Sequence, residues 1–257
     1  MGDDAAGRDT VGSLQKGLAV LEILAAHPAG LTLTEMAEKA GLTRAGARRF
    51  LLTLTISGYA VQDGRKFSLS PRLLSVARSY VQGASLWSYA EPFLRKAAAE
   101  LNESCSAAVL SGEDVVYVAR VPGRHILSVA LHVGTRLPAW CTSMGRVLLS
   151  GLPMPELQEF LAVAAIEPKT PKSIVDREKL AILISKAATD GYAIVDEELE
   201  LGLRSIAVPI RDASRKIVAA INISTQSSRF TPAEMRREIL PKLKAAAGSI
   251  ENFFVVQ

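Results

Sequence analysis

Apolar residues recur at three- and four-residue steps near the start of the chain. Leu14, Leu18, Leu21 and Leu24 or Ala25 fall on one face, which predicts a first helix over 13–26. Ser13 is its expected N-cap, and His27-Pro28-Ala29-Gly30 ends it. Thr34 is expected to cap a short second helix over 35–40, with Gly41 closing it in the left-handed conformation. Thr43 then caps a third helix that runs to about Ser57. Phe50, Leu51, Leu54 and Ala47 form its inward stripe, and Gly58 stops it. Two alternating runs, 59–62 and 66–69, flank Asp63-Gly64-Arg65, and Asp-Gly suits a hairpin turn that needs positive φ. Helix, short helix, turn, helix and hairpin in that order make a winged helix-turn-helix.

Ser70-Pro71 opens a further helical segment, 71–88, with Leu73, Leu74, Ala77 and Val81 on one face. It reads as a linker helix and dimer contact. An amphipathic helix follows over 89–103, with Pro92 near its first turn. From Ser104 the pattern turns to β-branched runs at 105–110, 115–121 and 127–131. Further helices are expected at 143–151, 155–164 and 176–190. Strands at 204–211 and 216–224 join at Asp212-Ala213-Ser214, and Thr231 with Pro232 begins a last helix to about 253. Strands and helices mix without strict alternation, which favours an α+β fold over a doubly wound sheet. The expected organisation is a disordered tail (1–10), a DNA-binding domain (11–70), a linker helix (71–88) and a second domain (89–257).

The net charge is only +4, so its distribution matters more than its size. Residues 11–80 hold Lys16, Lys39, Arg44, Arg48, Arg49, Arg65, Lys66, Arg72 and Arg78 against Glu22, Glu35, Glu38 and Asp63. The positive charge therefore sits in the helix-turn-helix segment. The third helix opens with small and basic residues, which suits entry into a major groove, where arginine pairs bidentately with guanine or with phosphate. Arg44 and Arg48 share a face. Arg49 is offset toward phosphate, and Arg65 and Lys66 sit at the tip of the hairpin. Thr34, Thr43, Ala45 and Ala47 complete the expected DNA-facing set. Charge runs more often merely solvate a helix face. Here they fall on the one helix that the motif turns outward.

The rest of the inventory excludes several functions. There is no G-x-G-x-x-G, P-loop or G-x-S-x-G, so no cofactor and no catalytic residue is expected. His27, His125 and His132 show no zinc spacing, and Cys105 and Cys141 form no CxxC. A Cys141–His132 pair is conceivable, but a buried structural cysteine is the better reading. Two cysteines, no signal peptide and no long apolar run point to a soluble, cytoplasmic protein without a membrane partner.

From about Ser13 onward the chain resembles the IclR family of bacterial regulators. The resemblance is carried by LQKGLAVLEIL at 14–24, LTEMAEKAGL at 33–42, GTRLPAWCTSMGRVLL at 134–149, DEELELGLR at 196–204, VPIRD at 208–212 and AINIS at 220–224. The 136–145 stretch is most similar to the PcaR, PcaU and PobR branch, which controls aromatic-acid breakdown through the β-ketoadipate pathway. The resemblance implies a homodimer or dimer of dimers on a palindromic double-stranded DNA operator. It also implies a C-terminal α/β domain, related to GAF and PAS sensors, that binds a small organic acid. Family members repress or activate.

Such a pocket needs donors for a carboxylate and an apolar wall for the remainder. Thr142, Ser143 and Met144 lead into a helix whose first amides can act as donors, and Trp140 can wall a flat ring. The resemblance adds Asp196 through Leu203, Ser205, Asn222 and Ser224. Asn222 and Ser224 alternate with Ile221 and Ile223, so both polar groups share one strand face. Family members often carry Cys at position 205 and Ser at position 222, and these departures bear on ligand choice. Trp140 can equally be core, and Ser205 and Asn222 can equally satisfy buried backbone. For Arg204, a structural salt bridge with Glu197, Glu198 or Glu200 is the better reading. Three rivals stand beside an aromatic-acid sensor: a sensor of a small aliphatic acid, an enzyme fused to a DNA-binding module, and a DNA-binding protein without a ligand.

Overall fold

The computed structural model describes residues 11–76, 86–123 and 131–255. The chain divides into two compact units at residues 83 and 84. The tail 1–10, residues 77–85 of the expected linker helix and all but Leu131 of the 127–131 strand lie outside the described residues.

The first unit contains α1 (Gly12–Ala25), β1 (Leu31–Thr32), α2 (Leu33–Lys39), α3 (Arg44–Ile56), β2 (Ala60–Asp63) and β3 (Lys66–Leu69). Val20, Leu24, Met36, Ala47 and Leu51 fill its core, with Phe50 and Leu54 packed alongside. The sheet order is β1-β3-β2, antiparallel throughout. Gly64 takes φ +56° in the hairpin turn, as expected for Asp-Gly.

Two expected caps are corrected. Val11, not Ser13, precedes α1, and Ser13 lies inside the helix. Thr32, not Thr34, caps α2. The Thr32 hydroxyl accepts from the Glu35 amide, while the Glu35 carboxylate accepts from the Thr32 amide at 2.7 Å. A capping box needs its acid three residues after the cap, and Glu35 stands in that register for Thr32 alone. Leu31 and Thr32, immediately before α2, pair with Phe67 and Lys66 as a third strand.

The second unit begins with α4 (Leu86–Leu101). Next come β4 (Ser104–Ser111), β5 (Asp114–Val121), β6 (Arg136–Pro138) and a 3-10 turn (Ala139–Cys141). Then follow α5 (Ser143–Leu149), α6 (Met154–Val163), α7 (Arg177–Asp190), β7 (Ala193–Asp196), β8 (Leu203–Arg211) and β9 (Ile217–Gln226). The final helix, α8, runs from Pro232 to Glu251 with a π-turn at Met235–Ile239. Pro241 explains that turn. A proline inside a helix donates no hydrogen bond and crowds the carbonyl four residues back, and a widened turn accommodates both effects.

The strands form an antiparallel sheet in the order β6-β5-β4-β9-β8-β7. Its two faces differ. Ile206, Val208, Ile210, Ile221 and Ile223 point to one side and pack against α4 and α8. Ala108, Ala207 and Ala220 point to the other side, where α5, α6 and α7 lie. Such a sheet with helices on both faces is the α+β arrangement expected. Pro92, expected in the first turn of its helix, is the seventh residue of α4, because the helix starts three residues earlier.

Candidate functional site

Thr43 sets the start of α3, its hydroxyl accepting from the Gly46 amide at 3.1 Å. Arg44, Ala45, Arg48 and Arg49 are exposed along the first turns of α3, as are Thr34, Arg65 and Lys66 elsewhere in the unit. Among the described residues no carboxylate forms an ion pair with Arg44, Arg48 or Arg49. The three guanidinium groups are therefore available to an anionic partner. Ala47 is the exception in the expected set. It is fully buried in the core of the unit, so its side chain cannot reach a partner. The 3.6-residue period places it on the inward stripe with Leu51.

The second unit holds a cavity of about 350 Å³ between the small-residue face of the sheet and the helix layer. Leu203 and Ser205 reach it from β8, Asn222 and Ser224 from β9, and Thr142 and Ser143 from the start of α5. Tyr117, Leu131 and Leu137 give it an apolar side, and residues 199–202 and 226–228 complete the wall. Ser205 pairs with Ser224 in the β8–β9 register, so the two hydroxyls lie side by side. The Asn222 amide nitrogen donates to Ser224 Oγ at 3.0 Å. Asn222 Oδ1 and Ser143 Oγ are both buried without a hydrogen-bond partner.

Two ties hold the cavity wall. Arg146, in the first turn of α5, is buried; its Nε donates to the Trp140 carbonyl at 3.1 Å and its terminal nitrogen to Glu198 at 2.5 Å. This ion pair fixes the 197–203 segment against α5. Lys172 holds the same segment through Glu197 at 2.9 Å, and this bond keeps the Glu197 carboxyl below the usual carboxylate range. Close packing also fixes the turn before α5. A Cβ at Gly145 would fall 2.0 Å from the Ala139 carbonyl oxygen, so only glycine fits.

Three expected effector contacts lie elsewhere. Trp140 and Met144 are each about 1% exposed and belong to the core beneath α5, not to the cavity lining. Asp196 accepts from Arg204 Nε at 2.8 Å. Arg204 also donates to the Ser227 carbonyl at 2.6 Å and to the Phe230 carbonyl. The structural salt bridge expected for Arg204 exists, but its partner is Asp196, its cross-strand neighbour, and not one of the three nearby glutamates. The amides at the start of α5 are partly used already, since the Gly145 amide donates to Thr142 Oγ1 at 3.1 Å. Arg136 pairs with Asp114 at the outer sheet edge. His132 contacts Thr135, whereas Cys141 is buried and lies 3.8 Å from the Pro138 carbonyl.

The family model described as the bacterial transcriptional regulator IclR C-terminal domain matches residues 78–252, and the IclR helix-turn-helix domain model matches residues 13–64. The chain belongs to the IclR family. This IclR-family regulator is 40% identical to the Pca regulon regulatory protein of Pseudomonas putida, over 93% of this chain and 82% of that protein. A structure from Rhodococcus sp. RHA1, solved as a transcriptional regulator, is 43% identical with a TM-score of 0.82, covering 96% of this chain and 99% of that one. The inducer-binding domain of an Acinetobacter PobR double mutant, solved with 3-hydroxybenzoic acid, is 32% identical. It has a TM-score of 0.61 and covers 65% of this chain and 98% of that one. The family and these relatives are regulators of transcription, not enzymes. The IclR regulator therefore pairs a DNA-binding helix-turn-helix with an effector-binding domain. Among the described residues no cluster of side chains could hold a metal ion, and no helix is long and apolar enough to cross a membrane.

Sequence reasoning missed part of this cavity. Gln226 continues the alternation of Asn222 and Ser224, so the same period-two signal reaches it. Residues 199–202 fall in the 196–203 stretch that the resemblance supplied, whereas Tyr117, Leu131 and Leu137 carry no such signal, because the fold brings them to the site from distant segments.

Proposed function

We propose that this regulator binds a palindromic operator as a homodimer or dimer of dimers and that a small acid from aromatic catabolism controls it. In this reading Arg44 and Arg48 read base edges in the major groove, while Arg49, Arg65 and Lys66 hold phosphate. Thr34, Thr43 and Ala45 line the approach. The effector occupies the cavity of the second unit, and the observation that carries the reading is the lining itself. One side is apolar, suited to a ring, and the other presents hydroxyl and amide groups from Ser143, Ser205, Asn222 and Ser224. The aromatic-catabolism assignment is supported by the resemblance to the Pca regulon protein and by the ligand of the PobR domain. Effector binding favours one dimer geometry, and the spacing of the two reading helices changes across residues 71–88.

A thermal-shift series with protocatechuate, 4-hydroxybenzoate, β-ketoadipate, glyoxylate and pyruvate tests the effector class, because a ligand of the native state raises the melting temperature by mass action. A rise with an aromatic-pathway acid supports the reading. A rise with glyoxylate or pyruvate alone replaces it with an aliphatic-acid sensor. On the DNA side, Arg48→Ala is expected to cost about 1–3 kcal/mol of operator binding and to relax sequence preference. Lys66→Ala should weaken binding to all sequences alike and flatten the salt dependence. Equal loss of specificity in both variants would remove the assigned roles.

A further inference from the structure

We propose that Asn222 selects the effector by reading a hydroxyl group on it, so that the cavity prefers a hydroxylated acid over the same acid without the hydroxyl. The inference rests on the effector reading of the cavity and deepens it. Asn222 stands on β9 with its side chain only 3% exposed. Its nitrogen is engaged by Ser224 at 3.0 Å, but its oxygen meets no donor. A buried amide oxygen without a donor is costly in the empty cavity, and that cost is relieved by any ligand that supplies an O–H.

The surroundings leave room for such a group. Cross-strand neighbours of Asn222 are Ala207 and Ser106, and Ala108 and Ala220 share the same sheet face. These short side chains leave the cavity open beside Asn222, with Tyr117 lining it from β5. A hydroxyl suits the amide in either orientation, because it donates to the oxygen and can accept from the nitrogen. With the amide nitrogen engaged by Ser224, as it is here, an ionised carboxylate has only acceptors and would face the amide oxygen unfavourably. The acid group is therefore better placed at Ser143, which enters from the helix layer. Ser143 is fully buried, and its hydroxyl has no partner to receive its proton. The two unpaired groups, one from the sheet and one from the helix layer, thus define complementary ends for one ligand.

A site built to pair a ligand hydroxyl discriminates strongly against the analogue that lacks it. Isothermal titration of the full-length protein with 3-hydroxybenzoate, 4-hydroxybenzoate, protocatechuate and benzoate reads this directly. At least one hydroxylated acid is expected to bind about 10- to 100-fold more tightly than benzoate, the ratio expected from one buried polar group left unpaired. Asn222→Leu, similar in size but without hydrogen-bonding groups, should erase that ratio by weakening the hydroxylated acid and sparing benzoate. Asn222→Ser should keep part of the ratio, which guards against misreading a folding defect in the leucine variant. Benzoate binding as tightly as every hydroxylated acid in the wild type would overturn the proposal and leave an aromatic-acid sensor intact. An unchanged ratio in Asn222→Leu, or equal loss of both ligand types in folded Asn222→Leu and Asn222→Ser, would overturn it as well. No binding of any probe would overturn the aromatic reading itself together with this one.

Discussion

The two faces of the second unit's sheet are made by the same strands and do opposite work. Along β9, Ile221 and Ile223 turn to one side, where α4 and α8 close over them and leave them fully buried. Asn222 and Ser224 turn to the other, where Ala108, Ala207 and Ala220 keep the surface low and a cavity remains. The packed face is joined to its helices by apolar contact, which is non-directional and needs no partner geometry. On the cavity face, polar ties such as Arg146–Glu198 supplement the apolar packing of α5–α7. A sheet with alternating bulky and small residues can thus hold a stable core on one side and an open chamber on the other.

The sharpest way to break this comparison is to remove one end of the buried tie. Arg146→Met leaves the Glu198 carboxylate buried beside an apolar chain, which should cost about 3–5 kcal/mol in urea unfolding. The double variant Arg146→Met/Glu198→Leu should recover most of that loss, since no uncompensated charge remains. A small loss in the single variant would mean that water reaches Glu198 and that the tie contributes little.

Neighbouring substitutions on β9 come next. Ile223→Ala opens a cavity in the packed face and should cost about 2–5 kcal/mol. Ser224→Ala, one residue along and facing the chamber, removes a hydrogen bond to Asn222 and should cost only about 0.5–1.5 kcal/mol. The reverse experiment adds volume. Ala219→Leu, on the packed face, should destabilise by about 1–3 kcal/mol through overpacking. Ser205→Leu, on the chamber face, should cost less while abolishing binding of whichever probe acid the wild type binds. Equal destabilisation by the two leucines would show that the chamber is not open space in solution.

This contrast was partly legible in the sequence. The Asn222-Ile-Ser224 alternation gave the polar wall, because a strand's period of two sorts side chains without knowledge of the fold. The winged helix-turn-helix was legible for the same kind of reason, down to the Thr43 cap and the Asp63-Gly64 turn. The Thr32 cap was also present in the sequence, since Glu35 stands three residues after it, but the threonine at 34 competes for attention. Short strands escaped. β1, β6 and β7 span two to four residues, too few to display a period. The Asp196–Arg204 pair depends on β7–β8 register, and the Arg146–Glu198 tie joins residues 52 apart. Trp140 shows the limit of residue type as a guide. A tryptophan in a motif beside the cavity is, in this fold, a core side chain.

The smallest expected effect uses the two cysteines, which happen to report one face each. Cys105 lies in the packed face and Cys141 lines the chamber. Burial pushes both thiols up to about 12, and at Cys141 the nearby Glu198 carboxylate adds to the rise while Arg146 opposes it. A thiol whose folded value is raised stabilises the fold fully below its unfolded value near 9 and loses that contribution as pH climbs toward 12. Stability should therefore be insensitive to these thiols from pH 6 to about 8 and fall above about 9. Iodoacetamide, which needs the thiolate, should label both slowly at pH 8. Cys141 should react before Cys105, because opening the chamber exposes it without unfolding the packed face. A ligand bound in the chamber should slow Cys141 and leave Cys105 unchanged. Simultaneous labelling of the two, with or without a bound acid, would mean that the faces open together and that the chamber has no independent motion.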